Sequence, residues 1–180
     1  MRTYEKSNEF IADKKQLNPD GMLETALLKQ QHYKSSQTDI PDKMFIVSDV
    51  DHFYNDLLRI KPKCENSDIS LIISNSCFEI WLYYGKFSDK PSDFVIPDNH
   101  LKISQFFKTY LGDKVKGGAN PKDAIFDIFV AIKNAKDNYE EDDYCLPKLF
   151  STNMFLLAED ILPLIDKELM KMPKTQIPCL

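Results

Sequence analysis

Two short apolar runs constrain this chain more than anything else in it. Met44-Phe45-Ile46-Val47 is apolar without alternation, and a second run spans Ile69 to Ile73. Each is too short for a core helix. Such runs suit strands buried on both faces, the pattern of parallel strands inside an α/β fold. Each also ends in polar residues: Ser48-Asp49-Val50-Asp51 after the first, Ser74-Asn75-Ser76 after the second. If the two strands are parallel, these C-terminal ends lie side by side, where open α/β sheets carry their chemistry.

The rest of the sequence reads mainly as helix. Asn18-Pro19-Asp20-Gly21 has turn chemistry, and Met22, Leu23, Ala26 and Leu27 then recur at helical spacing toward Tyr33. Residues 34–42 read as a loop. Asp51 is placed to cap a helix carrying Phe53, Leu57, Leu58 and Ile60, with Lys61-Pro62-Lys63 as its stop. A strongly apolar helix is expected over Cys77–Phe87, then a loop over Ser88–Asn99 and a helix over Leu101–Leu111. Asn120-Pro121 is an N-cap followed by proline at the first helical position, predicting a helix to about Ala135. Asp137–Asp143 reads as an acidic solvated loop. Ser151 or Thr152 is expected to cap a last helix bent at Pro163. Two strands do not make a stable sheet. Further strands must therefore hide in the loops, or something outside this chain completes the sheet.

Size and charge narrow the function. A chain of 180 residues fits one domain, read here as 19–172 between a polar lead-in at 1–18 and a frayed tail at 173–180. The net charge of −5 gives no overall pull toward nucleic acid or anionic membrane, so any nucleic-acid contact needs a local basic patch or a bridging metal ion. No apolar stretch approaches the length of a membrane span and none resembles a signal peptide, so a cytoplasmic protein is expected. Cys64, Cys77, Cys145 and Cys179 lack CxxC spacing and read as free thiols. His32, His52 and His100 form no ligand pattern, so no zinc site is expected.

The chemistry sits at the strand ends. Asp49 and Asp51 are two residues apart, which on a strand puts both side chains on one side. Glu79 follows one turn into the segment after the second run. Magnesium and manganese prefer carboxylate oxygen and need only one or two such ligands beside water and phosphate. Asp49 and Asp51 are therefore candidate metal ligands, and Asp49, Asp51 and Glu79 are candidate catalytic residues. The plainer reading makes the aspartates a helix cap and a surface acid, and Glu79 a complement to a helix dipole. Lys108, Lys114 and Lys116, with Gly117-Gly118, could hold phosphate or form a solvated turn.

These residues carry a resemblance. Asp49-Val50-Asp51 followed by Ser74-Asn75-Ser76-Cys77-Phe78-Glu79-Ile80-Trp81-Leu82 resembles the RloB-like family, which includes AbiL-type phage abortive-infection proteins. Tyr110 with Lys114 or Lys116, the segment Ala131–Lys136 and Ser151-Thr152-Asn153 resemble its distal pattern, so the likeness runs from about Pro19 to Leu162. The family is considered Toprim-like. The resemblance implies an α/β, three-layer domain with a small, mostly parallel central sheet and a helix-rich C-terminal half. It implies a magnesium-dependent nuclease acting on DNA or RNA in antiphage defence beside an ATPase partner. It aligns Asn75 and Glu79 with the second motif, and Lys114 and Lys116 with positions supporting substrate or structure.

Three departures stand out. The family opens with a strand ending in an EGxTE-type motif, and no such strand is legible before Asn18, where Glu5 and Glu9 lack that context, as does Glu24 beyond it. Ser76 replaces the family's proline, and Gly85-Lys86 replaces its histidine. The domain is thus expected to be incomplete at its N-terminus, with an open sheet edge inviting self-association. The chain alone is expected to be weak or inactive. The alternative function is a shortened, catalytically weak module that binds or scaffolds.

Overall fold

The computed structural model describes residues 18–35, 43–116 and 118–169. The expected lead-in (Asn18 apart), the expected tail and the place where an opening strand would fall lie outside the described residues. Six α-helices and three strands are described: α1 (Pro19–Ser35), β1 (Met44–Asp49), α2 (Tyr54–Glu65), β2 (Ile69–Asn75), α3 (Glu79–Tyr84), α4 (Ile103–Lys114), α5 (Ile128–Asp137), β3 (Ser151–Thr152) and α6 (Met154–Leu169). This is the expected mixed α/β architecture, helix-rich, with a small sheet of order β1-β2-β3. The backbone bonds from Val50 N to Ser74 O and from Asp51 N to Ser76 O advance together along both chains, as parallel neighbours do. β3 is the hidden strand. It pairs antiparallel with β2, Ser74 opposite Thr152 and Asn75 opposite Ser151.

The described chain divides into two compact units. The first contains residues up to Val47 together with Phe53–Leu71. Here Asn18 proves to be a cap rather than a free turn: its Oδ1 accepts the Gly21 N–H at 2.8 Å, and Pro19 opens α1. α1 therefore starts three residues before the apolar periodicity does. α1 packs on α2, burying Leu23 and Ala26 from one and Leu57, Ile60 and Cys64 from the other. Arg59 bridges Asp20 and Asp56, with 2.8 Å to the latter, and Gln30 Nε2 donates to Ser67 O at 2.9 Å.

Two expectations about α2 are corrected. Asp51 does not cap it; Phe53 occupies the cap position, and no side chain accepts a capping bond there. The helix also passes through Pro62 to Glu65, because buried Cys64 anchors the last turn and Asn66 N bonds to Pro62 O at 3.1 Å. The strand expectation needs a correction too. β1 is not buried on both faces, since Val47 is exposed while Ile46 and Ser48 are buried. Alternate side chains of a strand point to opposite faces, so the face that carries Val47 is the one left open.

The second unit holds Ser48–His52 and everything from Ile72 onward. Its centre is α3, shorter than expected but with Ile80, Trp81, Leu82, Tyr83 and Tyr84 all buried. α3 packs against α4, α5 and β3. Asn134 of α5 is buried, and its amide donates to Tyr84 O at 2.9 Å and Phe87 O at 3.1 Å, satisfying the carbonyls that end α3. The Tyr84 hydroxyl donates to Phe150 O at 2.7 Å.

Segment 120–135 is not one helix. Asn120 accepts the Lys122 N–H at 3.1 Å and starts a single 3-10 turn at Pro121–Asp123, after which α5 begins only at Ile128. The break falls where Asp127 is tied to Lys86 at 2.5 Å and lies against Gly85, whose missing Cβ would meet the Asp127 Cβ at 3.1 Å. Similarly, a 3-10 turn at His100–Lys102, capped by Asn99, precedes α4. Thr152 lies in β3, yet its hydroxyl also accepts the Met154 N–H at 3.2 Å, so the expected cap for the last helix is present as well. β3 is only two residues long, and Asn153 extends its pairing with a side chain: Asn153 Oδ1 accepts the Ile73 N–H at 2.6 Å. No helix among the described residues is long and apolar enough to cross a membrane.

Candidate functional site

The ends of β1 and β2 meet in the second unit. Asp49 is the last residue of β1, and backbone pairing continues past it through Val50 and Asp51 to Ser74 and Ser76. The turn Ser76–Phe78 then delivers Glu79 as the first residue of α3. A Phe78 N–H from that turn donates to the Asp49 carboxylate. The sequence order strand, polar turn, helix thus brings two acids from different segments close enough for the charge of Glu79 to act on Asp49.

Their environment is electrostatically unbalanced. Burial pushes the Asp49 carboxyl up to about 6, and the negative charge of Glu79 adds to that rise; Lys108 and the Phe78 N–H act against it. Asp51 is the weakest of the charges acting on Asp49. Glu79 Oε1 stands 3.6 Å from Lys108 Nζ, while Glu79 Oε2 is buried without a hydrogen-bond partner. A buried carboxylate oxygen in that state costs free energy unless something meets it. Next to it, burial and the Glu79 charge raise the Cys77 thiol to about 12, so this cysteine is an inert neighbour rather than a nucleophile. Asp51 sits in the left-handed region at φ 29°, its carboxylate 3.4 Å from His52 Nδ1.

Asp49 and Glu79 are therefore brought together, with Asp51 beside them at weaker coupling. Among the described residues no group of three His, Cys, Asp or Glu side chains converges closely enough to hold a metal ion. A site of two carboxylates remains, and the orphaned Glu79 oxygen and the crowded Asp49 are what a hard cation would relieve.

The supporting residues fall elsewhere. Asn75 donates from Nδ2 to Pro147 O at 2.8 Å and so fixes the loop before β3. Lys114 pairs with Asp93 and lies 5.3 Å from the Tyr110 ring centre, while Tyr110 also bonds to Asp93. Lys116 lines a cavity of about 280 Å³ with Trp81, Lys86, Asp123 and Asp127. Of the three lysines, Lys108 is the one that reaches the acids. The sequence carried a signal for it: Ser104 and Lys108 are one turn apart on α4, and the Ser104 hydroxyl donates to Ser76 O at 3.5 Å, holding that helix face to the turn before Glu79.

No curated protein and no solved structure matches this chain. The model of the family described as RloB-like protein matches residues 1–161, and the chain belongs to that family.

Proposed function

We propose that this protein is a magnesium- or manganese-dependent phosphodiester nuclease of a bacterial antiphage system, working with an ATPase partner on DNA or RNA. The observation that carries the reading is the unbalanced pair Asp49 and Glu79, with a raised Asp49 carboxyl and a buried Glu79 Oε2 that makes no hydrogen bond of normal geometry, the Cys77 thiol being the polar neighbour of Glu79 on the buried side. Side chains evolved only for stability do not normally leave such a group unpaired. In this reading Asp49 and Glu79 hold the cation and Asp51 faces it from the rim. A bound magnesium ion supplies charge neutralisation on the phosphate and makes a water molecule more acidic. The Phe78 N–H orients the Asp49 carboxylate. Lys108 adds the positive charge that a chain of net charge −5 needs locally to admit a polyanion. The roles in antiphage defence and beside an ATPase rest on what the family resemblance implies.

A second reading keeps the fold and drops the catalysis, leaving a module that binds or scaffolds. It is favoured by the lack of any three-ligand group among the described residues. One experiment separates the two. Cleavage of single- and double-stranded DNA and RNA is followed with magnesium, manganese or EDTA, for the wild type and for Asp49→Ala, Asp51→Ala and Glu79→Gln. Cleavage that needs the cation and is lost in Asp49→Ala and Glu79→Gln supports the nuclease. Cation-dependent cleavage that persists in all three variants removes these acids from the chemistry, and nucleic-acid binding with no cleavage selects the second reading.

A further inference from the structure

Lys108 stands in an unusual relation to the acids. At 3.6 Å its ammonium is beyond hydrogen-bond length from Glu79, whereas the Lys86–Asp127 pair past the other end of α3 closes to 2.5 Å. The Lys108 side chain is 51% exposed and that of Glu79 only 24%. The ammonium approaches Oε1, while the buried Oε2 has no hydrogen bond of normal geometry. Its charge reaches Asp49 as well. The helix that carries Lys108 is held here, since Ser104 one turn before it bonds to Ser76 O. The head is not anchored, because a lysine ammonium is a point charge on four flexible carbons. An exposed pair of this length adds little to stability, so Lys108 can leave it at little cost.

We propose that Lys108 is a built-in competitor of the divalent cation, covering Glu79 while the cation is absent and passing to a phosphate oxygen of the nucleic acid when the cation arrives. The inference rests on the proposed cation-dependent reading and deepens it. Two positive charges cannot share Glu79 cheaply, so the arriving cation displaces the ammonium outward, where a phosphate is the natural acceptor. Cation and polyanion then favour each other's binding through one side chain, a coupling that is reciprocal by linkage.

The test uses binding rather than turnover. Manganese affinity is measured by the loss of the free-ion paramagnetic signal, and oligonucleotide affinity by fluorescence anisotropy in calcium and in EDTA, for the wild type, Lys108→Met and Lys108→Arg. Lys108→Met is expected to bind manganese about tenfold more tightly, the size left to an opposed charge after solvent screening. It is expected to bind the oligonucleotide several-fold more weakly in calcium and unchanged in EDTA, while Lys108→Arg stays near wild type. Equal manganese affinity in wild type and Lys108→Met overturns the competition and leaves the cation site standing. Tighter manganese binding with unchanged oligonucleotide affinity in calcium overturns the transfer to phosphate. Manganese binding by none of the three proteins overturns this inference together with the reading beneath it.

Discussion

Two pairs of carboxylates in this molecule have opposite electrostatics. In the first unit, Asp20 and Asp56 share Arg59, and the guanidinium holds the Asp20 carboxyl below its ordinary range. In the second unit, the half-exposed Lys108 is the cation whose charge reaches both Asp49 and Glu79 among the described residues, and Asp49 is pushed up to about 6. The first pair is a finished surface network of the kind that staples helices. The second is unbalanced: it is partly buried and repulsive. The difference teaches that the neighbours of a carboxylate, more than its count in a motif, mark it as a candidate for chemistry.

The strongest way to break the comparison is to neutralise Asp49. Asp49→Ala is expected to lower cation-dependent cleavage by about 100-fold or more, the scale of losing one electrostatic stabiliser, as read in a single-turnover nuclease assay. Next in size is a structural control away from the acids. Asn134→Ala leaves the carbonyls of Tyr84 and Phe87 without their donor and is expected to cost about 2–3 kcal/mol in denaturant unfolding.

A smaller effect has the opposite sign. The folded protein raises the Asp49 carboxyl from 3.8 to about 6, so it binds that proton more tightly than the unfolded chain does. The stabilising contribution is complete below pH ~4 and is lost as pH climbs through about 6, where Asp49 ionises. Asp49→Asn should therefore raise Tm at pH 7.5 by a few degrees, on the order of 1–2 kcal/mol after allowance for solvent screening. At pH 4 it should change Tm little. The proposed cation binding should likewise fall below pH ~6, because proton and cation would compete for one carboxylate. Calorimetric scans across that range, with and without manganese, would read both trends, and a destabilised Asp49→Asn at pH 7.5 would contradict the picture of a repulsive pair. The smallest effect belongs to the finished network. Arg59→Ala should barely move Tm, and the change should vanish in high salt.

Legibility followed the same divide. The strand ends were readable because a non-alternating apolar run that stops at polar residues has few other uses, and the charge of Glu79 acts on Asp49 where the two runs end. Lengths and boundaries were less readable where distant partners decide them. β3 has two residues and no apolar pattern, and only its pairing with Ser74 and Asn75 makes it a strand. Pro62 reads as a stop, yet the burial of Cys64 carries α2 past it. Asn120-Pro121 does begin a turn, but the close approach of Asp127 to Gly85 postpones the helix. Asn75 and Lys114 were expected in support of substrate or structure, and their local partners, Pro147 O and Asp93, give them structural work.

The shortness of β3 has a consequence of its own. Within three consecutive residues, Ser151 pairs with Asn75, Thr152 meets the Ser74 hydroxyl at 2.8 Å, and Asn153 stands in for a missing ladder rung at Ile73. No spare length exists to absorb a slip. An insertion or deletion in the segment leading up to Ser151 would have to be taken up entirely upstream, or else all three attachments would detach at once and the exit of β2, on which the acids depend, would lose its outer wall.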